Sequence, residues 1–330
     1  MHYVIQENIF REQHYDMLKK SLDRMELSYD IVRIFPFVNK IVNIKDIPEG
    51  EDGYNYIVDE LPEYDPGRKD VFVFGAIKLA RISKEKDWIP GSMMNENHDY
   101  LVYEKFYGDN LLNHDSVITT VASSSDLKWH VGEQKFIRPT KDTKSFTGAL
   151  YFEEEWHDFV EHYLHNFKSE IFNADTKIQV STPKDIQKEI RFWVVGGKVI
   201  TGSQYRLGNQ VLYDEYYEEE AKQFAQQMVD KFQLAEAFVI DVCLTSDKWK
   251  IVECGCINAA GFYKADLQKV LNAVEEHFSP IVEFNCYGVT IIGTFISEKE
   301  GKISIKVISD SSNVYKPEEI HSIHKSHLIK

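Results

Sequence analysis

The sequence predicts a mixed α/β (α+β) protein with about two domains, and three observations support this fold class. Apolar strand-like runs alternate with amphipathic stretches in the first third of the chain. Two hairpin patterns with short polar turns follow in the middle of the chain. The 330 residues are 43% hydrophobic and 28% charged, a composition that is typical of globular proteins and excludes disorder as the main state.

Residues 1–125 are predicted to form a small α/β layer domain. Its predicted elements are a strand at 3–5, a helix at 12–25, strands at 29–35 and 70–75, and a helix at 76–82. A turn-rich segment follows, in which residues 93–98 are either the lining of a cleft or an ordinary surface loop. The serine-rich stretch 121–126 is the predicted domain boundary.

Residues 126–278 are predicted to form a second domain, and residues 279–330 an appendage. The second domain combines a strand at 133–138, a polar basic loop at 139–148, helices at 153–167, 218–233 and 266–278, and a strand at 177–180 that ends at the break 181–183. Two hairpins lie between these elements. The appendage is a predicted β-hairpin of residues 289–296 and 302–308, with a histidine-containing tail that is either solvated or metal-binding.

The net charge is −15, which argues against nucleic acid or an anionic membrane as the main partner because both attract cationic surfaces. No apolar run is long enough to span a membrane and no signal peptide is recognised. The four cysteines are sparse, so free thiols and a cytoplasmic location are expected. Cys254 and Cys256 could form half of a metal site, but the sequence offers no second cysteine pair.

The first predicted hairpin turns at Gly196-Gly197, where both residues can adopt a positive φ angle. This turn pairs Val195 with Lys198, and counting back places Arg191 opposite Gly202. One face then carries apolar residues together with Tyr205 and can pack on a core. The other face carries the polar side chains Glu189, Arg191, Gln204 and Arg206.

Two arginines on one sheet face suit bidentate capture of a phosphate or a carboxylate, particularly with a glycine opposite. The alternative interpretation is a solvated outer face with Glu–Arg pairs, which contribute little to stability.

The second predicted hairpin carries the acids Asp241 and Glu253 on adjacent strands. A three-residue loop that pairs Leu244 with Lys248 puts both acids on one face, and a four-residue loop that pairs Cys243 with Lys248 puts them on opposite faces. A metal site therefore needs the first register or a β-bulge. Oxygen ligands of this kind suit Mg²⁺. The alternative is a salt bridge from an acid to Lys248 or Lys250.

Together these patterns resemble the ATP-grasp superfamily, and more narrowly its divergent clade named for two arginines and a lysine. The resemblance covers about residues 126–275. It depends on the segments 136–139, 144–148, 189–195, 203–206, 239–242, 252–253 and 258–263. It implies an ATP-grasp fold with an N-terminal pre-ATP-grasp α/β domain at 1–125, an ATP-grasp domain at 126–278 and a C-terminal β-hairpin appendage at 279–330.

The resemblance also implies residue roles and the cofactors ATP and Mg²⁺. Arg138 and Lys144 would contact the phosphates. Main-chain groups near Gln179 and Val180 would pair with adenine, and Ser181 and Glu189 would contribute to the cofactor site. Arg191 and Arg206 would be catalytic residues that hold the γ-phosphate or an acyl-phosphate. Asp241, Glu253 and Asn258 would ligate Mg²⁺, with Asn258 replacing the asparagine that the family pattern has at position 255, where this chain has Gly255.

The implied activity is ATP-dependent ligation of a carboxylate to an amine through an acyl-phosphate, with a peptide or protein among the candidate substrates. An alternative is an ATP- and Mg²⁺-binding assembly factor with little or no ligation, because the clade includes a eukaryotic cell-division-cycle protein that helps to assemble a translation initiation factor. A phosphotransferase would use the same residues.

Overall fold

The computed structural model describes residues 1–7, 9, 12–35, 40–48, 58–142, 145–166, 172–246, 248–279, 281–286, 289–299, 302–310 and 320–324. Lys144 and the side chains of the predicted histidine tail lie outside the described residues.

The N-terminal part is a five-stranded sheet with a helix after the first strand and another after the fourth. Its elements are β1 (His2–Gln6), α1 (Glu12–Arg24), β2 (Ser28–Phe35), β3 (Lys40–Asn43), β4 (Asp70–Phe74), α2 (Ile77–Glu85) and β5 (Ile89–Gly91). The strand order is β3-β2-β1-β4-β5, and only β3 is antiparallel to its neighbour. The α/β class predicted from the alternating pattern is confirmed.

A second part begins with α3 (Tyr100–Tyr107) and contains two further sheets. The smaller sheet consists of β6 (Val117–Thr120), β7 (Lys135–Pro139), β8 (Ala149–Tyr151) and β9 (Lys177–Ser181), with α4 (Glu153–Asn166) between β8 and β9. Its order is β6-β9-β7-β8, so β6 belongs to this sheet although it precedes the predicted boundary at 125. The serine-rich stretch is therefore a connection inside the second part.

The larger sheet of the second part has the order β12-β11-β10-β13-β14. Its elements, with the two helices that pack on it, are β10 (Lys188–Val195), β11 (Lys198–Leu207), β12 (Gln210–Asp214), α5 (Glu219–Lys231), β13 (Ala237–Leu244), β14 (Trp249–Cys256) and α6 (Leu267–Phe278). The appendage forms a separate antiparallel sheet of β15 (Ile281–Cys286), β16 (Val289–Lys299), β17 (Lys302–Asp310) and β18 (Ile320–His324).

One apolar core joins the N-terminal sheet to the larger sheet. Phe74 on β4 is fully buried and packs edge-on against Phe262, with ring centroids 5.7 Å apart. Trp193 on β10 and Val270 on α6 belong to the same buried cluster. This packing fixes the N-terminal part against the start of β13 and the end of β14, next to the strand positions of Asp241 and Glu253.

The Gly196-Gly197 turn forms as predicted, with φ angles of 56° and 74° and with Val195 paired to Lys198. The register counted back from the turn is wrong from Trp193 onward, because two β-bulges interrupt the β10–β11 ladder and Trp193 pairs with Thr201. Arg191 consequently pairs with Ser203, while Gly202 lies opposite Phe192.

Gly202 makes room for an aromatic ring and not for an arginine. A Cβ atom at this position would lie 2.5 and 2.6 Å from two ring atoms of Phe192 and 3.2 Å from Tyr217. Both rings belong to the core on this side of the sheet. The space that Gly202 leaves is therefore a packing requirement.

We expect Gly202→Ala to lower the free energy of unfolding by about 1–3 kcal/mol, because the added methyl overpacks the core. Urea denaturation of the full chain measures this change. Gly255→Ala on β14 is the matched control, since a Cβ there meets its nearest atoms at 3.4 and 3.5 Å. Equal stabilities of the two variants would contradict the packing role of Gly202.

Candidate active site

Three arginines and three carboxylates from five strands form one continuous chain of contacts across the smaller and larger sheets. They are Arg138 on β7, Glu189 and Arg191 on β10, Arg206 on β11, Asp241 on β13 and Glu253 on β14. In spatial order the contacts run Arg138–Glu253–Arg191–Asp241, then through the Tyr205 hydroxyl to Glu189 and Arg206. The structure thus brings together six of the residues that the sequence predicts.

The centre of this chain is the buried ion pair of Arg191 and Asp241. Nε and Nη2 of Arg191 each donate to one carboxylate oxygen at 2.8 Å. The side chains are only 12% and 3% exposed. Burial raises the pKa of Asp241, and the Arg191 guanidinium opposes this shift. The arginine therefore compensates a charge that burial alone would disfavour.

Glu253 lies directly opposite Asp241, because a bulge between Asp241 and Val242 changes the register of the β13–β14 hairpin. Leu244 pairs with Trp249 and Cys243 with Lys250, so neither register considered from the sequence is correct. The bulge alternative is the one that occurs, and it places both acids on one face.

Nη2 of Arg191 contacts both acids, at 2.8 Å from Asp241 and 4.0 Å from Glu253. A second arginine, Arg138, holds Glu253 at 2.5 Å. Both acids are thus held by arginines.

Tyr205 is a site residue that the sequence pattern missed. Strict alternation assigned it to the core face, but the bulge between Glu189 and Ile190 turns it to the charged face. Its hydroxyl donates to Glu189 at 2.5 Å and lies 3.4 Å from Asp241. Its ring stacks on Tyr263, and the Arg191 guanidinium lies 5.0 Å from the Tyr263 ring centroid. No sequence signal identifies such a bulge in advance.

A cavity of about 330 Å³ lies between the smaller and larger sheets, next to this charge cluster. Phe136 and Gly148 line it from the β7–β8 hairpin, Pro183 from the segment after β9, and Glu189 and Arg206 from the larger sheet. Its size falls in the range of about 300–1,000 Å³ that is common for small-molecule sites.

Gln179 and Val180 lie in β9, which has strand neighbours on both sides. Their main-chain groups therefore belong to the sheet, which does not fit the predicted pairing with adenine. The Gln179 amide donates to Ser116, and the Ser181 hydroxyl donates to Asn113, so these side chains also have protein partners. The cavity instead borders the segment 182–186, directly after the strand.

Asn258 also has protein partners and lies outside the chain of charges. It is 1% exposed, and its amide nitrogen donates to the Val73 carbonyl at 2.6 Å. Its amide oxygen accepts from the Met93 main-chain nitrogen at 2.7 Å and from Ser92 at 3.3 Å. The side chain thus ties the end of β14 to the N-terminal sheet.

The described N-terminal end of the predicted phosphate loop between β7 and β8 is anchored at two points. The Thr140 carbonyl accepts from the Tyr100 main-chain nitrogen at 2.8 Å, and the Asp142 carboxylate accepts from the Cys256 main-chain nitrogen at 2.9 Å. This loop contains Lys144, which lies outside the described residues.

Among the described residues, no group of three or more His, Cys, Asp or Glu side chains is arranged to hold a metal.

None of the helices in the described part of the chain combines the length and the hydrophobicity needed to cross a bilayer.

No curated protein matches the sequence. In fold alone, the chain is similar to the RimK domain protein ATP-grasp from Sphaerobacter thermophilus DSM 20745, with 11% identity, 83% of this chain and 96% of that chain covered, and a TM-score of 0.50. The comparison with D-alanine–D-alanine ligase from Bacillus anthracis, complexed with ATP, has 12% identity and a TM-score of 0.49. It covers 84% of this chain and 93% of that chain.

The family comparison is more specific. The model of family 3 of the ATP-grasp domain clade that is named for two arginines and a lysine matches residues 93–274, which is more than half of the 330 residues. The match contains all six residues of the charge cluster and confirms the resemblance stated from the sequence. The chain therefore belongs to family 3 of this ATP-grasp clade.

Proposed function

We propose that the protein is an ATP-dependent ligase that joins a carboxylate to an amine through an acyl-phosphate. The observation that carries this proposal is the continuous chain of alternating charges beside the inter-sheet cavity, in a chain of the ATP-grasp family. Arginines that already hold carboxylates in bidentate or close contact have the geometry for phosphate and acyl-phosphate oxygens as well.

The nucleotide would occupy the inter-sheet cavity, with its base near the segment 182–186 and its phosphates toward the arginines. Arg206 is the most accessible of the three, with a side chain 47% exposed, and can contact an entering phosphate first. Arg191 and Arg138 would exchange a carboxylate partner for phosphate oxygens. Glu189 and Tyr205 hold this end of the site in place through their 2.5 Å hydrogen bond.

Asp241 and Glu253 would hold Mg²⁺, because they present carboxylate oxygens on one face and both contact the same arginine nitrogen. When bound, Mg²⁺ offsets charge on a transferring phosphoryl group. Two protein carboxylates are sufficient for such a site, since Mg²⁺ commonly completes its coordination with water and substrate phosphates.

In the proposed reaction, an oxygen of the substrate carboxylate attacks the γ-phosphorus of ATP and ADP leaves. The neutral amine nitrogen then attacks the carbonyl carbon of the acyl-phosphate and the C–N bond forms. Phosphate leaves with the electron pair of the broken C–O bond and takes up the proton that the nitrogen loses. The arginines stabilise the charge that develops on the phosphoryl oxygens, and the sheet holds donor and acceptor in line.

We expect Glu253→Gln to weaken Mg²⁺-dependent ATP binding by about tenfold or more, while ATP binding without Mg²⁺ changes little. Glu253 is the informative position because its side chain is 36% exposed, and the amide oxygen of glutamine can still accept a hydrogen bond from Arg138, whose side chain is 16% exposed. Calorimetric titration with ATP, with and without Mg²⁺, measures both affinities.

Glu220→Gln on α5 is the control, since this exposed acid lies away from the site. Equal Mg²⁺ dependence in the two variants would reject Glu253 as a metal ligand.

ATP turnover that requires a protein partner and yields no amide product would favour the assembly-factor function, and a phosphorylated product would favour a phosphotransferase.

A further inference from the structure

A second cavity, of about 490 Å³, lies between residues 94–102 and the loop after β7. Residues 93–98 are the segment for which the sequence left a cleft lining and a surface loop as alternatives, and four of them line this cavity. Met94 and Val102 contribute apolar surface, while Lys141 and Asp142 contribute the loop side. The charge cluster and the inter-sheet cavity do not account for this space.

The walls of this cavity are fixed by hydrogen bonds from both parts of the chain. The amide groups of Asn95 and Asn97 both donate to the Leu234 carbonyl, at 3.0 and 2.9 Å. The Met93 main-chain nitrogen is held by Asn258 and the Asp142 carboxylate by the Cys256 main chain. The cavity is therefore a preformed feature and not a gap beside a loose loop.

The charges around this cavity favour a cation. Glu96, Asp99 and Asp142 are acidic, and Lys141 is the basic residue opposed to them. A cavity wall with an excess of carboxylates raises the local concentration of cations. The apolar side chains of Met94 and Val102 suit the hydrocarbon chain to which such a cationic group is attached.

His98 supplies a second and independent observation that points to a ligand. It lines the cavity, is only 3% exposed, and its Nε2 has no hydrogen-bond partner among the residues that the structure describes. Its Nδ1 is engaged by Asn95. Burial lowers the pKa of His98, opposed by Asp142, which favours the neutral ring. A buried polar atom without a partner is rare and indicates a group that the protein alone does not supply.

The cavity is close enough to the charge cluster for a shared reaction. Asp142 on its wall bonds to Cys256, which is three residues from Glu253 along β14. Three residues of a strand span about 10 Å. A substrate that fills the cavity can therefore extend one end to the phosphates held by Arg138 and Arg191.

We propose that this cavity binds the amine substrate through an ammonium group at one end of an apolar chain, while a second, unprotonated amine at the other end reaches the acyl-phosphate. The identification of the bound amine as a substrate rests on the proposed ligase function, whereas the cation preference of the cavity does not depend on that function. The two are therefore tested separately, by thiol labelling for the cavity and by ATP calorimetry on the same variants for the nucleotide site.

The labelling experiment uses Val102→Cys in the full chain. We compare its reaction rates with cationic aminoethyl methanethiosulfonate and anionic sulfonatoethyl methanethiosulfonate, each divided by the rate for free cysteine. The cationic reagent is expected to react about tenfold faster. Cadaverine should slow its reaction severalfold, whereas pentanol should not, since only the former is an ammonium ion.

Val131→Cys is the control for the field of the whole acidic protein, because Val131 is fully exposed. The parent protein gives the background from the native cysteines. Adding Asp142→Asn or His98→Leu to Val102→Cys should lower the cation preference or the protection by cadaverine. A cation preference no greater than at position 131, protection that is equal for pentanol, or a thiol closed to both reagents would each overturn the proposal.

Discussion

Arg191→Met is expected to lower the free energy of unfolding by about 3–5 kcal/mol at neutral pH, the range for breaking a buried ion pair by removing one partner. The substitution keeps most of the side-chain volume but leaves the Asp241 carboxylate, which is 3% exposed, without its bidentate partner. Urea denaturation of the variant and the parent measures the loss, and an unchanged m value shows that it belongs to the folded state.

The loss should depend on pH in a defined direction. Burial already raises the pKa of Asp241, and removing Arg191 raises it further because the opposing charge is gone. An acid with a higher pKa in the folded state binds more protons there, so folding is favoured as the pH falls. The deficit of Arg191→Met is therefore largest at neutral pH and shrinks as the pH is lowered toward the ordinary range of an aspartate.

Arg68→Met is the matched control, because Arg68 also holds an aspartate, Asp70, through Nε and Nη2. The two side chains of that pair are 41% and 43% exposed, and exposed pairs contribute about 0.2–1 kcal/mol. Replacing both Arg191 and Asp241 by apolar residues should recover part of the loss, since no charge is then left buried. Equal losses for Arg191→Met and Arg68→Met would refute the buried-pair interpretation.

The residue types of the charge cluster could be predicted from the sequence, but not their partners. The glycine pair at 196–197 defines a two-residue turn, and an apolar strand that contains Asp241 requires a partner for a buried carboxylate. These features follow from local chemistry. The bulges beside Glu189 and Asp241 do not, because each depends on packing across strands. They decide that Tyr205 faces the charges and that Glu253 stands opposite Asp241.

Arg191 and Arg138 show why the predicted metal and phosphate ligands contact each other in this structure. The adjacent carboxylates of Asp241 and Glu253 repel one another, and arginines compensate them with directional hydrogen bonds. A sequence pattern assigns arginine to phosphate and acid to metal, but it does not contain the pairing between these arginines and acids. The same limit applies to Asn258, whose partners come from Val73 and Met93, far away in the chain.

Asn258→Asp is expected to cost about 3 kcal/mol or more, because it buries a charge and replaces a donor by an acceptor. The amide nitrogen of Asn258 donates to the Val73 carbonyl at 2.6 Å, and a carboxylate oxygen in that place would repel it. The bonds from Met93 and Ser92 to the other oxygen would remain. Urea denaturation measures the loss, which should diminish at low pH as the new carboxyl gains a proton that it can donate to Val73.

The same substitution separates the two roles of this residue. For a metal ligand, aspartate in place of asparagine retains an oxygen and adds a charge that attracts Mg²⁺, so stability would be kept and Mg²⁺-dependent ATP binding would be retained or tighter. If Asn258 instead acts as a structural bridge, the substitution lowers the stability of the folded protein. Asn173→Asp is the control, because the oxygen of this exposed asparagine accepts from the Asp175 main chain and aspartate preserves that bond. If Asn258→Asp is as stable as Asn173→Asp and binds MgATP more tightly than the parent, then Asn258 acts on the metal and the bridge to Val73 contributes little.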